Sequence, residues 1–258
     1  MTGRVAWIQI APVKALALAH PEAVDLDRDG IVGDRVFFVM DDSGRMTNNK
    51  KHGPLMAVEP TYDAETSVLT LRFPDGRELS TETADGEPAR AEFYRETLDV
   101  RLVPGDLSDA LSDFAGANLR IVSHTRAGGG GDRGVQGATT LLSRGSLDRL
   151  ARELGVESVD RRRFRMHFGV DDVDAHGEDG WVGRRVRVGG AVVVPRGLVG
   201  RCAVTTQDPD TGRPNLSTLH ALTRYRSDVP SDEPLPFGVY AEVVEPGRVA
   251  LGDAIEPI

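Results

Sequence analysis

One cysteine stands in a chain of 258 residues. Cys202 therefore has no intramolecular disulfide partner, and a thiolate-only metal cluster is excluded. Positive charge is also scarce. The 31 Lys and Arg residues against 40 Asp and Glu leave a formal net charge of −9, the opposite of the basic face that a nucleic-acid partner requires. No apolar run reaches the length needed to span a bilayer. Met1–Ile10 lacks the basic and apolar regions of a secretory signal. With one cysteine and no export signal, the expected compartment is a reducing cytoplasm. Several catalytic signatures are missing too. There is no His-Glu-x-x-His or Cys-x-x-Cys for zinc hydrolysis, no Gly-x-Ser-x-Gly elbow and no dinucleotide fingerprint. His20, His52, His124, His176 and His220 show no metal-ligand spacing and read as structural or exposed.

What is present centres on Gly200-Arg201-Cys202-Ala203-Val204-Thr205-Thr206, followed by the turn Asp208-Pro209-Asp210-Thr211-Gly212. A cation beside a cysteine favours thiolate, the form that attacks or binds a soft metal. The competing reading is a buried cysteine acting as a small hydrophobe. Around this segment the chain reads as α+β and β-rich. Strands are expected at Val5–Ile10, Val36–Asp41 and Ser67–Phe73, with turns at Asp42-Ser43-Gly44 and Pro74-Asp75-Gly76. A hairpin is expected to turn at Gly189-Gly190. Leu147, Leu150, Ala151 and Leu154 share a helical face that Gly155 ends, with Ser146 as the expected N-cap. Ser217–Tyr225 is a second helix. Phe164, Met166 and Phe168 alternate, which predicts a strand through residues 161–171 with Arg163, Arg165 and His167 on its other face. The Asn and Lys residues after Thr47 read as a solvated loop, and Glu92-Phe93-Tyr94 reads as scaffold. The glycine run at 128–131 reads as a mobile loop and not a phosphate loop, since no Gly-Lys-Ser/Thr follows.

Arg201-Cys202, Thr205-Thr206, the Asp-Pro-Asp-Thr-Gly turn, Thr218-Leu219 and Tyr225-Arg226 together resemble the MOSC family, named for the C-terminal domain of molybdenum-cofactor sulfurases. The resemblance extends from about residue 5 to residue 258 and is to the bacterial relatives in the amidoxime-reducing subgroup. It implies a MOSC β-barrel with flanking helices over residues 107–258 and a smaller β-rich N-terminal domain over residues 1–106. It further implies a molybdenum cofactor with Cys202 as the metal ligand, Asp253 close to the metal, and reduction of N-hydroxylated small molecules by oxygen-atom transfer. Lys14, Arg35, Thr47, Ser143, Arg163, Arg165, His167, Arg201 and Thr205 are the cofactor-binding residues expected on this basis, with Thr140 beside Ser143. The chain departs from the family pattern near Gly137, where the usual aspartate and proline are absent, and at three further positions. Ala15 replaces a serine, and Met166 and His167 replace a proline and an asparagine. Electrons are expected from a separate protein, a ferredoxin or flavoprotein reductase. Two other uses of Cys202 fit the same residues: a sulfur carrier working through a persulfide, or a non-catalytic cofactor-binding protein.

Overall fold

A computed structural model describes residues 2–125 and 133–258. Seven strands close a barrel. In spatial order they are Gly3–Ile8, Phe168–Asp171, Thr139–Ser143, Val239–Glu245, Ala191–Leu198, Val186–Val188 and Ala254–Pro257, the last pairing back onto the first. The described helices are α1 (Leu107–Ala115), α2 (Arg144–Leu154) and α3 (Thr218–Arg226). Thr139–Ser143 and Phe168–Asp171 run parallel, so the chain must cross over between them, and α2 lies on that crossover. The barrel is filled by β-branched and aromatic side chains, among them Val5, Phe168, Val170, Val186, Val193, Val239 and Ile255. Trp7 and Met166 lie outside this filling, with Leu150, Phe164, Leu222 and Phe237 in the layer under α2 and α3. Trp7 is opposite Gly169 in the strand register, and a Cβ on Gly169 would fall 2.0 Å from the indole.

A second core lies in the N-terminal half. Its four-stranded sheet has the order Phe37–Asp41, Leu119–Ser123, Glu96–Leu102, Pro88–Phe93. A three-stranded meander, Glu59–Asp63, Val68–Arg72 and Glu78–Glu82, adds Leu69 and Leu71 to the same cluster as Phe37, Val39, Leu107, Leu111 and Ile121. The chain crosses the 106/107 division in both directions. Gly3–Ile8 is a stave of the barrel, whereas α1 and Leu119–Ser123 pack with the N-terminal sheet.

The β-rich fold, the hairpin at Gly189-Gly190 and both expected helices are present. Two local expectations need correction. Ser143, and not Ser146, is the N-cap of α2, its hydroxyl accepting from the Ser146 amide. Residues 161–167 are not a strand. Asp160 caps a 3-10 turn over Arg161–Phe164 by accepting from the Arg162 amide, and Arg165 leaves that turn with φ 52°. Only Phe168–Asp171 is extended and paired. The glycine-run reading at 128–131 lies outside the described residues.

Candidate functional site

The barrel strand Ala191–Leu198 delivers Val199, Gly200 and Arg201 to the junction between the two cores, and Cys202 begins the 3-10 turn Ala203–Thr206. Cys202 is exposed and lines a cavity of about 210 Å³. Lys14, Ala15, Arg35 and Tyr94 reach this cavity from the N-terminal half, and Thr140, Arg163, Arg165, Met166, His167, Arg201 and Thr205 reach it from the barrel half. Among the described residues seven cationic side chains share the lining, counting Lys50 and Arg133 with Lys14, Arg35, Arg163, Arg165 and Arg201. No Asp or Glu among the described residues lines it. In a chain of net charge −9 this concentration suits an anionic ligand.

These cations do two different things. Arg201 and Arg163 are turned into the protein. Arg201 Nε donates to the Phe237 carbonyl at 2.9 Å, Nη1 donates to the Phe164 carbonyl at 3.1 Å, and Nη2 lies 2.9 Å from Met166 Sδ. Burial holds its pKa down to about 9, with Arg133 adding to the effect, so it stays charged at neutral pH. Arg163 donates to the Gln207 carbonyl at 2.6 Å and to Asn215 Oδ1 at 2.7 Å. Thr205 donates to the Cys202 carbonyl at 3.1 Å and pairs with Thr218 Oγ1 at 2.8 Å. These three residues fix the cysteine turn.

Arg165 and Arg35 form the other set. Arg165 Nη2 is buried with no hydrogen-bond partner, and burial, reinforced by Arg35 and opposed by Asp34, lowers its pKa to about 9. Arg35 Nη1 contacts Asp34 Oδ2 and lies 2.5 Å from His167 Nε2. Asp34 is buried, which alone would push its carboxyl up. Arg35, His167 and the Ala11 amide together hold it well below the usual carboxylate range. His167 is fixed from behind, its own amide donating to Thr140 Oγ1 at 2.8 Å. Lys14 Nζ sits 5.5 Å from the Tyr94 ring centroid, over a cation–π face.

Three expected residues are not brought to this cavity. Ser143 is fully buried, and its hydroxyl is committed to Ser146 as the cap of α2. Asp253 accepts from the Ala250 amide at 2.8 Å in the turn before Ala254–Pro257 and packs against Gly189. Thr47 is buried, with its amide bonded to the Val39 carbonyl. Conversely, Asn48, Asn49, Lys50 and Tyr94 line the cavity although the sequence reads them as loop or scaffold. Asn49 is 4% exposed with Nδ2 unpartnered. Its carbonyl accepts from Gln207 Nε2 at 2.8 Å, tying the N-terminal half to the loop after Cys202. The Asn-Asn-Lys run after a strand was the one available signal.

Comparison with known proteins adds the following. Residues 125–256 match the MOSC domain, and residues 2–118 match the MOSC N-terminal beta barrel domain. The chain is 25% identical to mitochondrial amidoxime-reducing component 1 of Homo sapiens over 98% of its length and 82% of that protein. It is also 25% identical to mitochondrial amidoxime reducing component 2 of Homo sapiens over 98% of its length and 83% of that protein. The crystal structure of the YUAD protein from Bacillus subtilis covers 100% of this chain and 96% of its own, at 14% identity and TM-score 0.46. Among the described residues no helix is long and apolar enough to cross a membrane.

Proposed function

The chain belongs to the MOSC family, and from that premise we propose that it is a molybdenum-cofactor oxidoreductase that reduces N-hydroxylated small molecules, with Cys202 as the protein ligand to the metal. One observation carries the reading: an exposed cysteine shares a cavity with cations from both halves of the molecule and, among the described residues, with no carboxylate. The amidoxime-reducing relatives supply the substrate class.

The donor set fits such a group. A thiolate is a soft ligand suited to a transition metal, and guanidinium forks suit a phosphate or pterin. The buried, unpartnered Nη2 of Arg165 is a donor awaiting an acceptor. When bound, the cofactor supplies two-electron oxygen-atom chemistry. The chain supplies the rest. Cys202 would hold the metal, while Lys14, Arg35 and Arg165 would hold the anionic part of the cofactor. Arg163, Arg201 and Thr205 keep the cysteine turn in place through backbone carbonyls. Asp34 keeps Arg35 aimed. Met166, Phe164 and Val199 give the cavity an apolar side against which a small organic substrate can shed water. A separate reductase or ferredoxin would return the electrons.

The test is elemental analysis of freshly purified protein together with benzamidoxime reduction driven by a chemical reductant. The expected result is stoichiometric molybdenum and measurable turnover, both falling to background in Cys202→Ala. Cyanide-releasable sulfur without molybdenum would assign the sulfur-carrier role, and neither signal would leave a binding protein.

A further inference from the structure

Away from the cavity, the 3-10 turn Gly177–Trp181 packs beside the first turn of α2. His176, which precedes the turn, and Glu178 and Asp179 within it each place one potential ligand atom within 4.8 Å of the others. His176 Nε2, Glu178 Oε2 and Asp179 Oδ1 are all buried and all lack a hydrogen-bond partner.

The remaining polar atoms of these residues are engaged. Glu178 Oε1 accepts from the Ser143 amide at 3.1 Å and from the Ser146 hydroxyl at 2.9 Å. Ser146 has a single hydroxyl proton, and it goes to Glu178. Its oxygen accepts from the His176 amide at 2.9 Å and lies 2.7 Å from Ser143 Oγ, which leaves only a long 3.4 Å contact to His176 Nδ1. Either ring nitrogen can carry the imidazole proton, and a metal ion at Nε2 would select the tautomer in which that nitrogen is bare. Arg226 Nη2 donates to Asp179 Oδ2 at 2.7 Å, which turns Oδ1 away from it. One potential ligand atom of each residue thus lies within 4.8 Å of the others, and each residue keeps one buried polar atom without a partner. Glu178 is 0% exposed and has no ion pair among the described residues. Buried acceptors left in this state are destabilising, and a buried carboxylate calls for a cation.

We infer that His176 Nε2, Glu178 Oε2 and Asp179 Oδ1 form a binding site for one divalent first-row metal ion of the Zn²⁺ kind. One imidazole and two carboxylates are a recognised ligand set for such ions. Ser146 behind His176 and Glu178, and Arg226 behind Asp179, supply the outer hydrogen bonds that orient metal ligands. A bound ion would brace the turn before Trp181, which Glu178 already ties to Ser143 and Ser146 at the start of α2, outside the lining of the cysteine cavity. The His-x-Glu-Asp order escapes sequence reading because a 3-10 turn, and not a helix, gathers the three side chains.

The experiment uses the full chain carrying Cys202→Ser, so that the thiolate cannot compete. Stripped with a chelator, it is titrated with Zn²⁺ by calorimetry and by thermal melting, and with Co²⁺ by visible absorption. The expected result is one saturable equivalent, a raised melting temperature, and a Co²⁺ spectrum without a sulfur charge-transfer band. In the same background His176→Asn and Glu178→Gln each weaken binding about tenfold or more. Absence of a saturable equivalent in the Cys202→Ser chain, the result a trapped water alone would give, overturns the site. So does unchanged affinity in His176→Asn, whose half-buried position keeps that variant informative if Glu178→Gln does not fold.

Discussion

Asp34 is an anion set among cations, and its removal isolates the charge system around Arg35 and His167. Its carboxyl pKa is depressed in the folded state. The stabilisation it gives is therefore full above the unfolded value of about 3.9 and is lost as pH falls below that toward the folded value. Asp34→Asn is expected to destabilise the protein by about 3 kcal/mol at pH 7, since it breaks one side of a buried pair. Urea unfolding checks this, and the gap between variant and parent should narrow as pH drops below about 4. At this scale the sequence identified the residue types better than their directions. Lys14, Arg35, Arg165 and Cys202 meet at one cavity. Arg201 was expected to act on its neighbour's sulfur, yet Cys202 has extended backbone, φ −130° and ψ −180°. Successive side chains of extended chain point to opposite sides, so Arg201 enters the core while Cys202 stays exposed. Ser143 and Asp253 satisfy local amides instead of a ligand, a competition that a motif does not display. Tyr94 and Asn49 reach the cavity only through folding of the distant N-terminal sheet.

Elements placed these residues more than motifs did. The Phe164, Met166, Phe168 alternation matches a strand, but Asp160 offers a cap one residue before the arginine run, and the backbone takes the 3-10 turn. The reversal at Arg165 is what sends Arg163 back toward Gln207 and Asn215 while Arg165 borders the cavity. α2 was legible because Leu147, Leu150 and Ala151 share a face and Gly155 ends it with φ 70°. Its start was not, because two serines three residues apart both suit a cap and tertiary packing chose between them. The facing pair Trp7 and Gly169 gives a sharp test of strand geometry. Gly169→Ala puts a methyl group inside the indole's space and should destabilise by about 1–3 kcal/mol, as overpacking does. Chemical unfolding should show the loss, and native tryptophan emission should shift as Trp7 is displaced.

At the level of the whole molecule, the β-rich class and the barrel follow from short strands with regular turn signals, which local sequence records well. Which strand closes the barrel is a long-range fact and is not recorded locally. Gly3–Ile8 pairs with Phe168–Asp171 on one side and Ala254–Pro257 on the other. A fragment of residues 107–258 therefore lacks a stave, and it carries α1 away from the N-terminal core that covers it. Such a fragment is expected to show no cooperative urea transition, whereas the full chain should. Circular dichroism across the titration decides this, and a sharp transition in the fragment would contradict the closure described above.

That same first strand sets a timetable for biosynthesis. It leaves the ribosome before any other stave, but its two neighbours are among residues translated far later, the second at 254–257. Until residues 254–257 emerge from the exit tunnel, the strand waits with an open edge, and the barrel beside Cys202 is not yet closed. Closure of the wall beside that cysteine is thus a late event, possible only after residues 168–171 and 254–257 have both been translated.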